Sequence, residues 1–133
     1  MYTELGFGLA EHSGIFVGQN SIIHLNGQGL IERVSLEEFT GHITTFNHEI
    51  YVPCYSDHDW SIGFQLAGAR ASDQLESRRN YNVLLDNCHQ FCAGCITGDF
   101  DNPINFLWML KNLVGEEHGE SVVWRKWDWK KAS

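Results

Sequence analysis

A cysteine and two histidines are the residues of this chain whose types and spacing could do chemistry. Cys88 lies in the motif Asn-Cys-His-Gln-Phe at residues 87–91, and His12 opens the motif His-Ser-Gly-Ile-Phe-Val-Gly at residues 12–18. His24 follows His12 in the next β-rich run. A cysteine attacks as the thiolate and therefore needs a base within reach. The three residues together indicate nucleophilic catalysis, with one histidine as the base and the other orienting it.

A predicted helix positions the cysteine. Asp86 and Asn87 are favourable N-cap residues, and the sequence predicts a helix over residues 88–96. Cys88 would then lie in the first turn, where the positive end of the helix dipole favours a thiolate.

A predicted hairpin positions the two histidines. If a three-residue turn pairs Val17 with Ser21, His24 faces Gly14, and His12 lies diagonally two residues away on the same face. Gly14 has no side chain, so it leaves room for the two imidazoles to meet. A different turn length would shift this register by one residue.

The rest of the pattern predicts strands in the first half of the chain and mostly helices in the second. Strands are predicted at residues 13–17, 21–25, 29–34, 49–54 and 81–85, and Pro53 suggests an edge or a strand end. A capping box at residues 35–38 predicts a helical turn. Longer helices are predicted at residues 61–75 and 88–96, and at 104–114, after a start at 101–103 and before a stop at Gly115.

Composition and charge limit the classes of protein that fit. The 133 residues are 43% hydrophobic, which suits a single domain over residues 1–133. The net charge of −8 argues against a nucleic-acid partner. No run approaches the roughly 18 apolar residues of a spanning helix, and no leader-like segment precedes the first motif. The sequence therefore predicts a soluble, cytoplasmic protein whose four cysteines are reduced thiols.

Taken together, the motifs resemble those of the lecithin:retinol acyltransferase family, which includes the HRAS-like suppressor enzymes. That family belongs to the permuted papain-like, NlpC-type thiol enzymes. The likeness rests on His12-x-Gly-Ile-x-Val-Gly, on Ile23-His24, and on Tyr81 followed by Asn87-Cys88-x-x-Phe91, and it covers roughly residues 9–98. Family members often read Asn-Cys-Glu-His-Phe, whereas this chain has His and Gln in the two middle positions.

The resemblance implies an α+β fold in which an antiparallel sheet carrying both histidines packs against the helix that begins at the cysteine. It implies that Cys88 is the nucleophile, His12 the base and His24 the residue that orients His12, with the backbone N–H of Cys88 in the oxyanion hole. The implied activity is that of a thiol acyltransferase or lipid acyl hydrolase, working through an acyl-thioester without a metal or other cofactor.

Two other functions fit the same residues. A cysteine amidase or peptidase would use the same triad on peptidoglycan-like or protein amides, because a Cys–His site does not distinguish an ester from an amide. A catalytically silent binding module would keep the fold without the reaction.

The cysteine spacing leaves a further alternative. Cys88, Cys92 and Cys95 have the C-x₃-C-x₂-C spacing of an iron–sulfur ligand set. On a continuous helix the same spacing places all three on one face, which favours burial of Cys92 and Cys95 in the core.

The aromatic C-terminal segment also has two interpretations. Trp124, Trp127 and Trp129 lie among cations that include Lys130, and such a segment could contact a membrane surface. The sequence favours the alternative, in which these tryptophans cover an edge of the core.

Overall fold

A computed structural model describes residues 1–4, 11–41, 48–78 and 86–130. Within these ranges the chain is α+β with antiparallel sheets, as predicted. Its strands are β1 (Tyr2–Glu4), β2 (Glu11–Ser13), β3 (Ile15–Gly18), β4 (Ser21–Leu25), β5 (Ile31–Ser35), β6 (Ile50–Tyr55) and β7 (Val122–Trp127). Its helices are α1 (Leu36–Thr40), α2 (Ala67–Asp73), α3 (Asp86–Thr97) and α4 (Leu107–His118). The strand predicted at residues 81–85 lies outside the described residues.

The strands form two sheets rather than one. A four-stranded sheet has the order β2-β1-β6-β7, and a three-stranded sheet has the order β3-β4-β5. The predicted strand at residues 13–17 is divided at Gly14, so His12 lies on β2 of the first sheet and His24 on β4 of the second. The prediction that a single sheet carries both histidines is therefore wrong, because the backbone leaves one sheet for the other at Gly14.

The hairpin between β3 and β4 has a shorter turn than the sequence predicted. Gln19 and Asn20 both have positive φ, at 52° and 62°, which is the conformation of a two-residue type I′ turn. Gly18 therefore pairs with Ser21, and the predicted pairing of Val17 with Ser21 is wrong.

A β-bulge then restores the predicted register. The pairing shifts by one residue between Phe16 and Gly18, so Phe16 lies opposite Ile22 and Ile15 opposite Ile23. The shorter turn and the bulge each shift the pairing by one residue, in opposite directions. The two shifts cancel, so the hairpin beyond the bulge has the register that the sequence predicted.

The capping box predicted after β5 is confirmed. The Ser35 hydroxyl accepts a hydrogen bond from the Glu38 N–H at 3.0 Å, and the Glu38 carboxylate accepts one from the Ser35 N–H at 3.1 Å. These bonds start α1, which buries Phe39 at its inner face. Phe39 is the residue through which this short helix reaches the histidines.

The helix predicted at residues 61–75 is correct only in its second half. Ile62 N–H donates to the Pro53 carbonyl at 2.8 Å, which holds the first part against β6 as extended chain. Pro53 lies on β6, which is between β1 and β7 in the sheet order. β1 meets β6 only where Tyr2 lies opposite Tyr51, so among the described strands Pro53 is paired with β7 alone.

The two later helices are present with shifted ends. α3 begins at Asp86, two residues earlier than predicted, and keeps Cys88 in its first turn. α4 begins at Leu107 and continues through Gly115 to Gly119, which has φ +81° and caps the helix in the left-handed region. Gly115 was the wrong stop, because the backbone turns to positive φ at Gly119 and not at Gly115.

The C-terminal segment forms β7, which the sequence analysis missed. Trp124 packs against the core between the helices and the sheets, and Trp127 packs against a second cluster that contains Phe39. Trp129 is 6% exposed, and its indole N–H donates to the His48 carbonyl at 3.0 Å. The tryptophans therefore cover the core, as the favoured interpretation expected.

Candidate functional site

The two histidines predicted to meet are in direct contact. His12 Nε2 lies 2.7 Å from His24 Nδ1, a hydrogen bond that joins the two sheets. The ring centroids are 4.9 Å apart with the planes at 69°. This edge-on arrangement directs a ring nitrogen of one imidazole at a ring nitrogen of the other.

A carboxylate that the sequence analysis did not single out extends the pair. Glu32 lies opposite His24 in the β4–β5 register, and its Oε1 is 3.0 Å from His24 Nε2. A carboxylate only accepts, so His24 carries its proton on Nε2 and accepts at Nδ1. His12 then donates from Nε2, and its lone pair lies on Nδ1. The chain Glu32–His24–His12 thus fixes which nitrogen of His12 acts as a base.

Gly14 has a different role from the one predicted. A Cβ at this position would lie 2.6 Å from Ile22 Cγ2 and 3.0 Å from Phe39 Cε1. The space that glycine leaves is therefore filled by these two side chains rather than by imidazoles. The Phe39 ring lies 5.2 Å from the His12 ring and 5.9 Å from the His24 ring, so it forms an apolar wall against both.

The cysteine lies on the helix that packs against the strand of His12. α3 contacts β2, and the thiol of Cys88 is hydrogen-bonded by the backbone and the hydroxyl of Ser13, the residue after His12. Cys88 is 1% exposed, and the side chains of Asp86 and Asn87 lie outside the described residues. The structure thus brings the predicted nucleophile to the end of the strand that carries the predicted base.

The resting state of Cys88 differs from the expectation of a thiolate. Burial raises the pKa of the Cys88 thiol to about 12, and the neighbouring Cys92 adds to this rise. Hydrogen bonds from Ser13 and from the His89 N–H lower the pKa, but by less than burial raises it. The first turn of the helix therefore does not outweigh desolvation, and Cys88 is a neutral thiol at pH 7.

A second hydrogen-bonded pair lies beside the thiol and was also missed. Ser13 Oγ is 2.8 Å from His89 Nδ1, and these side chains are 0% and 3% exposed. Burial lowers the pKa of His89 to about 4, with a further contribution from the nearby amino terminus, so this imidazole is neutral at pH 7. One signal in the sequence could have indicated this residue, because His89 directly follows the candidate nucleophile.

The remaining cysteines of α3 are core residues, as their spacing favoured. Cys92 and Cys95 are 2% and 0% exposed and belong to the main core cluster. All four cysteines of the chain are free thiols. In the described ranges, no three His, Cys, Asp or Glu side chains are grouped so that they could hold a metal ion.

A cavity of about 390 Å³ lies next to the site. Its lining is mainly apolar and includes Phe64, Leu110 and Trp127. It reaches Gly14, which follows Ser13, and Cys92, which lies one helical turn after Cys88. The cavity therefore borders the helix that carries Cys88 and the glycine that follows the strand of His12, although its lining includes neither Cys88 nor His12.

Comparison of the chain with protein-family models, with curated proteins and with solved structures finds no match. None of the helices in the described part of the chain has the length and apolarity that crossing a bilayer requires.

Proposed function

We propose that this protein is a thiol acyltransferase or lipid acyl hydrolase in which Cys88 is the nucleophile. The observation that carries the proposal is the hydrogen-bonded chain Glu32–His24–His12, which ends on the strand against which the cysteine helix packs. A carboxylate, an orienting group and a base beside a thiol are the parts of a nucleophilic site. The resemblance to the lecithin:retinol acyltransferase family supports the same assignment.

The proposed reaction begins from the neutral thiol. His12 takes the proton of Cys88 at Nδ1 as the sulfur attacks an acyl carbonyl, and the backbone N–H of Cys88 donates to the resulting oxyanion. The oxyanion collapses to an acyl-thioester, and the leaving group receives the proton from His12. Water or an alcohol then attacks the thioester and transfers its proton to His12. The acyl group leaves on the attacking oxygen, and the sulfur takes the proton back from His12 to become the thiol again.

The cavity supports an apolar acyl group as the substrate. The apolar lining would bury the methylenes of an acyl chain, and each buried methylene favours binding by about 0.8 kcal/mol. A peptide would bring amide groups that need hydrogen-bond partners, and a mainly apolar lining offers few of these. We therefore place the lipid ester ahead of the amide substrate.

A catalytically silent module of the same fold is the second candidate. It is favoured by the burial of Cys88, which is 1% exposed and whose pKa is raised to about 12. Such a thiol reacts only if a base removes its proton during the attack. Detection of an acyl adduct on the cysteine, and of its turnover, therefore distinguishes the enzyme from the silent module.

The test is the intact mass of the protein after incubation with a short-chain phosphatidylcholine or a γ-D-glutamyl peptide. We expect one acyl adduct from the lipid, mapped by peptide mass to Cys88. Cys88→Ser should lose the adduct and the turnover, because a hydroxyl is a far weaker nucleophile beside the same base. Cys95→Ser is the matched control on the same helix and should keep both.

Three results would contradict the proposal. An adduct on Cys92 in place of Cys88 would move the nucleophile by one turn. Transfer from the peptide alone would favour the amidase. No adduct from either donor, in a protein that melts cooperatively, would favour the silent module.

A further inference from the structure

Ser13 and His89 form a buried pair next to the sulfur of Cys88. The proposed proton transfer from Cys88 to His12 does not involve this pair. Ser13 follows His12 and ends β2. The Ser13 hydroxyl bonds to His89 Nδ1 and reaches the thiols of Cys88 and Cys92. A single hydroxyl thus connects the sulfur to a second imidazole.

The hydrogen-bond directions of this pair depend on the proton of His89. If Nδ1 is bare, the Ser13 hydroxyl donates to it and can only accept from the Cys88 thiol. If Nδ1 carries the proton, it donates to Ser13 Oγ, and the hydroxyl is directed at the sulfur. Only the second arrangement stabilises a negative sulfur, and a hydrogen bond to an ionised group is about twice as strong as a neutral one.

We propose that Ser13 and His89 are positioning residues for Cys88, and that His89 directs the Ser13 hydroxyl to donate a hydrogen bond to the sulfur as the thiolate forms. The inference rests on the proposed function in one respect, that Cys88 ionises in order to attack. No other proton transfer is involved, since His12 takes the thiol proton and His89 keeps its own proton on Nδ1 throughout. The environment favours this role because both side chains are buried from water, which would otherwise compete for the hydroxyl.

The other titratable groups in this region are His12, Cys92 and the amino group of Met1. The Met1 amino group donates to the Gly14 carbonyl at 3.2 Å. Burial raises the pKa of the Cys92 thiol, so it is neutral at pH 7. The experiment therefore follows Cys88 itself rather than the pH dependence of the whole protein.

The test is the rate of iodoacetamide alkylation of Cys88, measured by peptide mass as a function of pH. Cys54 on β6 is also buried and is the internal reference for loosening of the fold. In Ser13→Ala we expect the Cys88-to-Cys54 rate ratio at pH 8 to fall about tenfold, and its pH profile to move up by about 1 unit. His89→Leu should lower the ratio and move the pH profile in the same way. His89→Asn should keep the ratio close to that of wild type, because its amide can donate from the position of Nδ1.

Two controls separate this role from a structural one. Thr40→Val removes another fully buried hydroxyl, which bonds to the Leu36 carbonyl at 3.0 Å, and should leave the ratio unchanged. The double variant Ser13→Ala/His89→Leu should be no slower than either single variant, because the two residues act as one unit.

An unchanged or higher ratio in Ser13→Ala would overturn the inference. If Ser13→Ala does not fold, equal ratios in His89→Leu and His89→Asn would overturn it instead. The outcome is distinct from that of the proposed function. If Ser13→Ala lowers the Cys88-to-Cys54 ratio but wild-type Cys88 forms no acyl adduct, the role of Ser13 and His89 stands and the enzyme proposal fails. If wild-type Cys88 forms the adduct but the ratio is unchanged, the enzyme proposal stands and the role of Ser13 and His89 fails.

Discussion

At the scale of the residue, the direction of the hydrogen bonds decides what each histidine can do. His24 is held between Glu32 and His12, so in the proposed mechanism it would fix a tautomer rather than exchange protons with the substrate. The cysteine helix α3 contacts the strands of both histidines, β2 and β4. The two imidazoles are nevertheless unequal, because His24 lies between two partners in this hydrogen-bonded line and His12 is the member farthest from Glu32.

This inequality predicts different costs of substitution. His12→Ala should lower turnover by about two to four orders of magnitude, which is the usual contribution of a positioned base. His24→Gln should cost less, because an amide can still accept from His12 Nε2 and hold the ring. The measurement is kcat on the lipid ester for both variants. Equal kcat values in wild type and His12→Ala would remove His12 from the mechanism.

The lowered pKa of His89 predicts a loss of stability in acid. Its pKa of about 4 in the folded protein lies below its ordinary value of 6.5, so unfolding takes up a proton between these values. The stability held above pH 6.5 is therefore lost as the pH falls toward 4, by up to about 3 kcal/mol. Urea unfolding at pH 7 and pH 4.5 should show this loss, and His89→Asn should show a smaller one. An equal loss in both proteins would assign the acid sensitivity to other groups.

Sequence alone could predict the residues that lie close together along the chain. His12 and His24 were paired correctly because a hairpin spacing relates them. Glu32 was not found, because its position depends on the register of a second hairpin. Ser13 and His89 are 76 positions apart, and no local pattern relates two residues at that separation.

At the scale of the element, the break at Gly14 sets the distance between the histidines. Local sequence rules predicted β4, the capping box and α3 with small errors, because propensity and capping act over a few residues. They failed for the first half of the segment 61–75, where hydrogen bonds to β6 override a helical spacing of apolar residues. Pairing with a neighbouring strand, rather than the spacing of apolar residues, therefore determines the conformation of that segment.

The crowding at Gly14 predicts that a single methyl group disturbs the site. Gly14→Ala should lower the free energy of unfolding by about 1–3 kcal/mol, because its Cβ would overlap Ile22 and press on Phe39. Since Phe39 contacts both imidazoles, kcat should fall as well.

Gly115→Ala is the control for this substitution. Its Cβ would lie in open space on α4, and alanine is the better residue in a helix. It should raise stability by about 0.5–1 kcal/mol and leave kcat unchanged. Urea unfolding and turnover of both variants test the pair. If Gly14→Ala is as stable and as active as wild type, the backbone at residue 14 shifts enough to accommodate the added methyl group.

At the scale of the whole molecule, the four-stranded sheet is closed by parts of the chain that are far apart in sequence. β6 pairs with β7 along its whole length, which joins residues 50–55 to residues 122–127. The sequence analysis described β7 as an aromatic tail, because its pairing partner is some seventy residues away. The same pairing explains why Trp129 is buried and not available to a membrane surface.

The burial of Trp129 predicts its contribution to stability. Trp129→Ala should lower the free energy of unfolding by about 3–5 kcal/mol, because it empties a core site and removes the bond to the His48 carbonyl. Trp108→Ala, at a position 63% exposed, should change it by no more than about 0.5 kcal/mol. Denaturant titration compares the two. Similar values would mean that the segment after β7 does not pack on the core in solution.

The bond between His12 and His24 also has a consequence for the order in which the protein forms. The three-stranded sheet is made from residues 15–35 alone, whereas the other sheet needs chain from residue 2 to residue 127. Closing the longer loops takes more conformational entropy and is slower. His24 is therefore in its hairpin well before His12 can be brought to it. During that interval a newly made chain has the cysteine but not the joined pair of histidines, so the proposed activity would begin only when folding ends.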